Sequence, residues 1–183
     1  MALTAYIGIG SNQPFDGRNP EDLVAAAVAA LAKIGSVTRG SSLYRTEPVG
    51  FAAQPAFVNA AVELRTASGP EETLQALIQI ELGYGRDRAA SVPKGPRTLD
   101  LDLLLAIDES GAGVVQHSAT LTLPHPEMAH RRFVLVPLVE IAPCLEHPIL
   151  KKTVAELLRE LPCDGPNAEN AVQVLQKEAE QAR

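Results

Sequence analysis

The sequence predicts an α+β fold, an antiparallel sheet with helices packed on it. Two observations carry this expectation. Apolar residues make up 46 % and charged residues 21 % of the 183, which suits one domain with a substantial core and neither a disordered tail nor a coiled coil. Strand-like runs and two helix signatures then follow one another in the order βαββαβ, the split ferredoxin-like arrangement.

Each element has a local reason. Leu3–Gly10 is an apolar run ending in Gly-Ser-Asn, a buried strand that stops at a turn. Asn19 caps the first helix, Pro20 fits its first position, and Glu21 and Asp22 suit its positive end. Val24, Val28 and Leu31 form its apolar stripe, and Gly35 is expected to close it in the left-handed conformation. Val37–Arg45 and Gln54–Arg65 read as the second and third strands. Gly69-Pro70-Glu71-Glu72 opens a second helix with the stripe Leu74, Leu77 and Ile78, closed by Gly83 and Gly85. Thr98–Ala106 is the fourth strand.

Beyond Ala106, Val114–Thr122 is expected to add strands. Arg131–Ile141 reads as a helix kinked at Pro137, and Thr153–Leu161 as one more. The expected domain is 1–165, followed by a polar helical tail over 166–183.

Charge and composition exclude several functions. Sixteen basic against 22 acidic residues give a net charge of −6, which argues against a nucleic-acid binder. With no Trp, three Tyr and four Phe, a base-stacking platform is not expected. Cys144 and Cys163 lack metal-ligand spacing and read as reduced thiols. No signal peptide or membrane-length apolar run is visible, so the expectation is a cytoplasmic protein without a membrane partner.

The sharpest chemical signal is Arg97-Thr98-Leu99-Asp100-Leu101-Asp102-Leu103. Strand periodicity puts Asp100 and Asp102 on one face, about 7 Å apart at ~3.3 Å per residue. Like charges on one face repel, and a hard cation beside them removes that penalty; Mg²⁺ typically takes one or two carboxylates plus phosphates. A half-solvated strand with outward acids would show the same spacing. Just upstream, residues 86–97 carry Arg86, Arg88, Lys94 and Arg97 against Asp87, while the remainder of the chain stands at −9. A cationic, Gly- and Pro-containing loop running into two carboxylates suggests a lid over a polyanion held through metal ions. No Walker sequence is present, and Gln13 stands where a dinucleotide fingerprint needs its third glycine.

A second cluster suits a planar ligand. Phe57 and Asn59 share the polar face of the third strand with Glu63, and Val58, Val62 and Leu64 face the core. A ring beside an amide can stack on a flat heterocycle and read its edge. His125 lies in a Pro-flanked loop, followed by Arg131-Arg132-Phe133. On residues alone, a Mg²⁺-dependent phosphohydrolase or a non-catalytic ferredoxin-like ligand-binding module remains an alternative to phosphoryl-group transfer.

Taken together, Tyr6-Ile-Gly-Ile-Gly-Ser-Asn12, Ser42-Leu-Tyr-Arg-Thr-Glu-Pro-Val-Gly50, Gln54-Pro-Ala-Phe-Val-Asn-Ala-Ala61, Gly95-Pro-Arg-Thr-Leu-Asp-Leu-Asp102 and Leu123-Pro-His-Pro-Glu-Met128 resemble, in order, the 6-hydroxymethyl-7,8-dihydropterin pyrophosphokinase family. The resemblance covers about residues 3 to 163. It implies transfer of pyrophosphate from ATP to the pterin hydroxymethyl group, leaving AMP, in folate biosynthesis; the expected partners are these two small-molecule substrates, and the expected state is a monomer. By motif, Asp100 and Asp102 would hold two Mg²⁺ ions, and Arg86, Arg88 and Arg97 would face the phosphates. Thr122, His125 and Arg131 match positions at the ATP site. Phe57 and Phe133 would sandwich the pterin, with Asn59 and the backbone from Thr46 through Val49 to Gly50 reading its edge. The chain departs from the familiar bacterial form at Phe57 and Pro126, each in place of Tyr, and at Arg132, in place of Gly. Its lid between Gly85 and Gly95 is one residue longer and carries Lys94 where that form has Trp.

Overall fold

A computed structural model describes residues 2–48, 54–86, 95–162 and 172–175 of the chain. The elements begin β1 (Leu3–Ser11), α1 (Pro20–Leu31), β2 (Ser36–Gly40), β3 (Tyr44–Thr46), β4 (Phe57–Thr66), α2 (Pro70–Gly83) and β5 (Asp100–Ile107). The main sheet runs β3-β4-β1-β5 with antiparallel pairing throughout, and β2 joins β4. This is the expected βαββαβ order, with its second strand divided. The division falls at Ser41, whose N–H donates to the Ala61 carbonyl while its Oγ accepts from the Ala61 N–H. One serine thereby occupies both pairing groups of β4, so β2 and β3 take up β4 on either side of it.

Both faces of the sheet are covered. On one, Val24, Ala27 and Leu31 of α1 and Leu77 of α2 pack on Ile7, Val62, Leu64, Leu101 and Leu103. Asn19 caps α1 as expected, accepting from the Asp22 N–H at 2.8 Å. Gly35 does not close α1 through a left-handed turn, because the helix ends at a right-handed Ala32. Gly35 is needed instead for close approach: a Cβ there would lie 2.4 Å from the Arg65 carbonyl. Gly85 does adopt positive φ, at 75°, directly after α2. The buried stripe of α2 is Thr73, Leu77 and Glu81, so Ile78 sits off its centre.

The second face is covered by α3 (Arg132–Ile141), which contains Pro137 as expected. Val134, Leu135, Leu138 and Ile141 pack there on Tyr6, Ala61 and Leu104. Smaller elements complete the shell: β6 (Gln116–His117) with β7 (Thr122–Leu123), then β8 (Glu146–His147) with β9 (Lys152–Thr153), then α4 (Val154–Glu160). Thr153 caps α4 in a reciprocal box with Glu156.

The last element corrects the sequence reading. Val172–Val174 is not helical but forms β10, antiparallel to β3 at the sheet edge, and the Leu175 N–H donates to the Leu43 carbonyl. The free edge of β3 offers backbone partners that a helix could not use. The rest of the expected tail lies outside the described residues. No helix among the described residues is long and apolar enough to cross a membrane.

Candidate active site

The site is built around two absent side chains. β1 runs between β4 and β5, with Gly10 opposite Asn59 on one side and Asp100 on the other, and Gly8 opposite Asp102. These glycines floor a cleft of about 340 Å³. Asp100, Asp102 and Arg97 line it on the β5 side, and Thr46, Phe57 and Asn59 on the β3–β4 side. Arg131 and Phe133, where α3 begins, close the facing wall. The strand alternation read from sequence accounts for this. Leu99, Leu101 and Leu103 enter the helix-covered core, so Asp100 and Asp102 turn to the cleft.

The acids are not equivalent. Asp100 is gripped by two arginines: Arg86 Nη1 lies 2.9 Å from its Oδ1, and Arg97 Nη1 pairs with its Oδ2. Arg86 also donates to the Leu99 carbonyl at 3.2 Å, and its buried Nε has no partner. Among the described residues no arginine clamps Asp102. Burial, and then the charge of Asp100, hold its carboxyl above the usual carboxylate range, against the opposing pull of His125, Arg131 and Arg97. A buried carboxyl that resists ionisation beside a second carboxylate is a suitable seat for a cation, which would relieve both the burial and the repulsion. Among the described residues no group of three or more His, Cys, Asp or Glu side chains is placed to hold a metal. The Asp100–Asp102 pair could hold such a cation, with the remaining coordination left to phosphate and water, as Mg²⁺ prefers.

The opposite side is uncharged at its centre. Asn59 is 6 % exposed and donates through Nδ2 to Thr46 Oγ1 at 2.7 Å. Its Oδ1 points across Gly10, where an added Cβ would stand 3.1 Å away. On the facing wall the Arg131 guanidinium lies 5.8 Å from the Phe133 ring centroid, a cation–π contact. Two phenylalanines and an oriented amide thus share one cleft with the carboxylates.

Some expected residues lie elsewhere. Thr122 is on β7, with its Oγ1 2.9 Å from His117 Nδ1, and does not line the cleft. Nor does His125, whose Nδ1 accepts from the Glu127 N–H at 3.1 Å, although its charge acts on Asp102. Arg86 reaches the site only through Asp100. Arg88, Val49 and Gly50 lie outside the described residues. Conversely, Glu127, His130 and Arg132 line the cleft although no sequence pattern singled them out as ligands.

A profile of the 7,8-dihydro-6-hydroxymethylpterin-pyrophosphokinase family matches residues 6–143. The chain belongs to this family. It is 42 % identical over 162 residues to the 2-amino-4-hydroxy-6-hydroxymethyldihydropteridine pyrophosphokinase of Synechocystis, covering 87 % of this chain and 76 % of that one. It is also 42 % identical to the Bacillus subtilis enzyme of the same name, covering 80 % and 82 %. A Plasmodium falciparum HPPK-DHPS triple mutant, solved with SDX-DHP, superposes with a TM-score of 0.65 at 15 % identity over 87 % of this chain. That likeness concerns the fold, and this chain spans 44 % of the Plasmodium chain's length.

Two buried residues that brace the segments lining the cleft escaped the sequence reading. Asn12, 1 % exposed, accepts from the Arg97 N–H at 2.7 Å and donates to the Pro55 carbonyl at 2.9 Å. It therefore joins the segment leading to Phe57 with the one leading to Asp100. Glu81, fully buried, accepts from the Leu101 N–H at 2.8 Å. Since β5 is an edge strand, that N–H faces away from β1, and the carboxylate takes the place of a missing strand between the two aspartates. The signal for Glu81 was an acid at i+4 from Leu77 on the apolar stripe. For Asn12 it was the amide ending Gly10-Ser11-Asn12, legible from sequence only as a turn.

Proposed function

We propose that the chain transfers the pyrophosphoryl group of ATP to the hydroxymethyl oxygen of 6-hydroxymethyl-7,8-dihydropterin, releasing AMP, as a step of folate biosynthesis. One observation carries the site assignment: a carboxylate pair with Arg97 and a ring-and-amide wall face one cleft across a glycine floor. In this reading the pterin lies between Phe57 and Phe133, its edge read by Asn59 and by the backbone from Thr46 through Val49 to Gly50. Thr122, His125 and Arg131 serve the nucleotide, and Arg86, Arg88 and Arg97 its phosphates. Asp100 and Asp102 would hold two Mg²⁺ ions, which would draw charge from the phosphate oxygens and make the β-phosphorus a better electrophile.

The protein's own part is positioning and charge. The nucleophile is the substrate hydroxyl, so no protein nucleophile is required. Arg97 stands at the cleft with its guanidinium on Asp100, where it could also meet phosphate oxygens if Asp100 held a cation. The stacked rings exclude water and fix the hydroxymethyl group for in-line attack. The catalytic region is placed at 1–165, with 166–183 an extension anchored through β10. The protein is taken to work in the cytoplasm as a monomer, with no nucleic-acid or membrane partner.

Product analysis tests this. With ATP and Mg²⁺, AMP formed only when the pterin is present supports transfer. Orthophosphate released from ATP alone would instead establish a hydrolase, and binding of either ligand without turnover would establish a non-catalytic module.

A further inference from the structure

The two walls of the pterin cleft belong to different parts of the chain. One is β3 and β4, which place Thr46, Phe57 and Asn59; the other is the first turn of α3, which places Phe133. Their separation decides whether a flat ring fits between them. Inside α3, Pro137 has no N–H to offer the Phe133 carbonyl, so the turn that carries this ring lacks one of its own hydrogen bonds. Its position has to be set from elsewhere.

A single carboxylate joins the walls. Glu140 lies seven residues after Phe133, two turns along the same side of α3. Its Oε2 accepts from the Tyr44 hydroxyl at 2.7 Å and the Ser42 N–H at 2.8 Å, and its Oε1 accepts from the Ser42 hydroxyl at 2.9 Å. Tyr44 is buried and stands directly opposite Asn59 in the β3–β4 register, two residues before Thr46. Arg39 adds a second grip on the same end of α3, donating to the Ile141 carbonyl at 2.8 Å. An acid near a helix C-terminus opposes the helix dipole. Its three donors offset that disadvantage, and all three belong to Ser42 and Tyr44, at the start of β3.

We infer that Glu140 is a positioning residue for the pterin, a clasp that sets the distance between the Phe133 ring and the Asn59 side of the cleft. It touches no substrate. The inference rests on the reading that the pterin occupies this cleft. Among the described residues the hydrogen bonds of the clasp run only between Glu140 and the Ser42–Tyr44 segment, and none reaches Asp100 or Asp102.

The test compares Glu140→Gln, Tyr44→Phe and the double variant by calorimetry with the pterin, in the presence of an inert ATP analogue, and with that analogue alone. Because the chain has four Phe and no Trp, fluorophenylalanine labelling gives a resonance for Phe133, assigned by its loss in Phe133→Leu. Glu140→Gln is expected to weaken pterin binding about fivefold, the scale of losing a partly solvent-screened charged hydrogen bond. The Phe133 resonance should move, affinity for the ATP analogue should stay within about twofold, and the double variant should lose less than the two single losses combined. If Glu140→Gln fails to fold, Tyr44→Phe carries the same readouts. An unmoved Phe133 resonance with unchanged pterin affinity overturns the inference. So does an equal loss for both ligands, which marks a merely structural residue. Phe133→Ala separates the two layers: unchanged pterin affinity in that variant sinks the cleft reading itself, whereas a loss there, without one at Glu140, sinks only the clasp.

Discussion

Replacing Gly10 by Ala tests the cleft floor with one methyl group. Gly10 is not in the left-handed region, so alanine fits its backbone. Replacing Gly at such a position commonly stabilises by about 0.4–1 kcal/mol through the unfolded chain. The added Cβ would stand 3.1 Å from Asn59 Oδ1, 3.9 Å from Asp100 Cβ and 4.0 Å from Phe57 Cδ1. Only the first of these is too close, by a few tenths of an ångström. The Asn59 amide must then turn, although its Nδ2 is held by Thr46 at 2.7 Å. Misaligning a buried amide costs ~1–3 kcal/mol of whatever it binds. The expected result is a melting temperature equal to or above the parent's, together with pterin binding about tenfold weaker, equivalent to ~1.4 kcal/mol. Affinity for an inert ATP analogue should change much less. Gly8→Ala is the control, since its Cβ would meet Leu104 at an ordinary 3.4 Å. Calorimetry and thermal melts on both variants decide the matter. Parental pterin affinity in a well-folded Gly10→Ala protein would refute the view that Asn59 reads the substrate edge across this floor.

Four further outcomes are expected. Phe57→Ala should weaken pterin binding at least about tenfold (~1.4 kcal/mol), while Phe57→Tyr stays near the parent by calorimetry, because the added hydroxyl can remain at the wet edge of the cleft. Asp102→Asn should abolish AMP formation yet raise the metal-free melting temperature at neutral pH, because a carboxyl whose pKa is raised on folding loses stability as pH rises above its unfolded value; a lower melting temperature would contradict this. Arg86→Ala should lower single-turnover rate more than it weakens ATP binding, if that side chain meets charge chiefly in the transition state. Tyr6 is pushed up to about 12 by burial and by Glu63, so it adds stability that is complete below pH 10 and lost as pH rises towards 12; Tyr6→Phe should flatten that limb of a denaturation series.

What the sequence revealed of the fold is what strand and helix periodicity can encode. The faces of β4 and β5 were legible because Val58, Val62, Leu64, Leu99, Leu101 and Leu103 alternate with polar residues, and only one register buries them. Both helix starts were legible from Pro-led acidic turns. The break between β2 and β3 was not, since it depends on Ser41 pairing with Ala61, a contact across 20 residues that hydropathy does not record. Nor was β10: Val172-Gln173-Val174 has no strand signal stronger than its polar surroundings, and the edge of β3 makes it a strand.

The site divides along the same line, and the division has a physical cause. Asp100, Asp102, Phe57 and Asn59 were legible because each stands out on the polar face of its strand: an acid, an amide or an aromatic ring where alternation alone would accept anything soluble. Glu81, Asn12 and Glu140 break no pattern visible along the chain. Each is a polar group whose partners lie 20, 43 and 96 residues away or more, and each satisfies backbone or hydroxyl donors that only the folded chain brings near. Groups that face the cleft interrupt the apolar alternation of their own strand and so look anomalous in sequence. Groups that hold those first ones in place are fully partnered, and their burial or bonding becomes visible only in three dimensions. The carboxylate behind Leu101 fixes the strand between two acids, and the carboxylate on α3 fixes the ring that faces them. The cleft therefore depends on at least two acids that do no chemistry of their own.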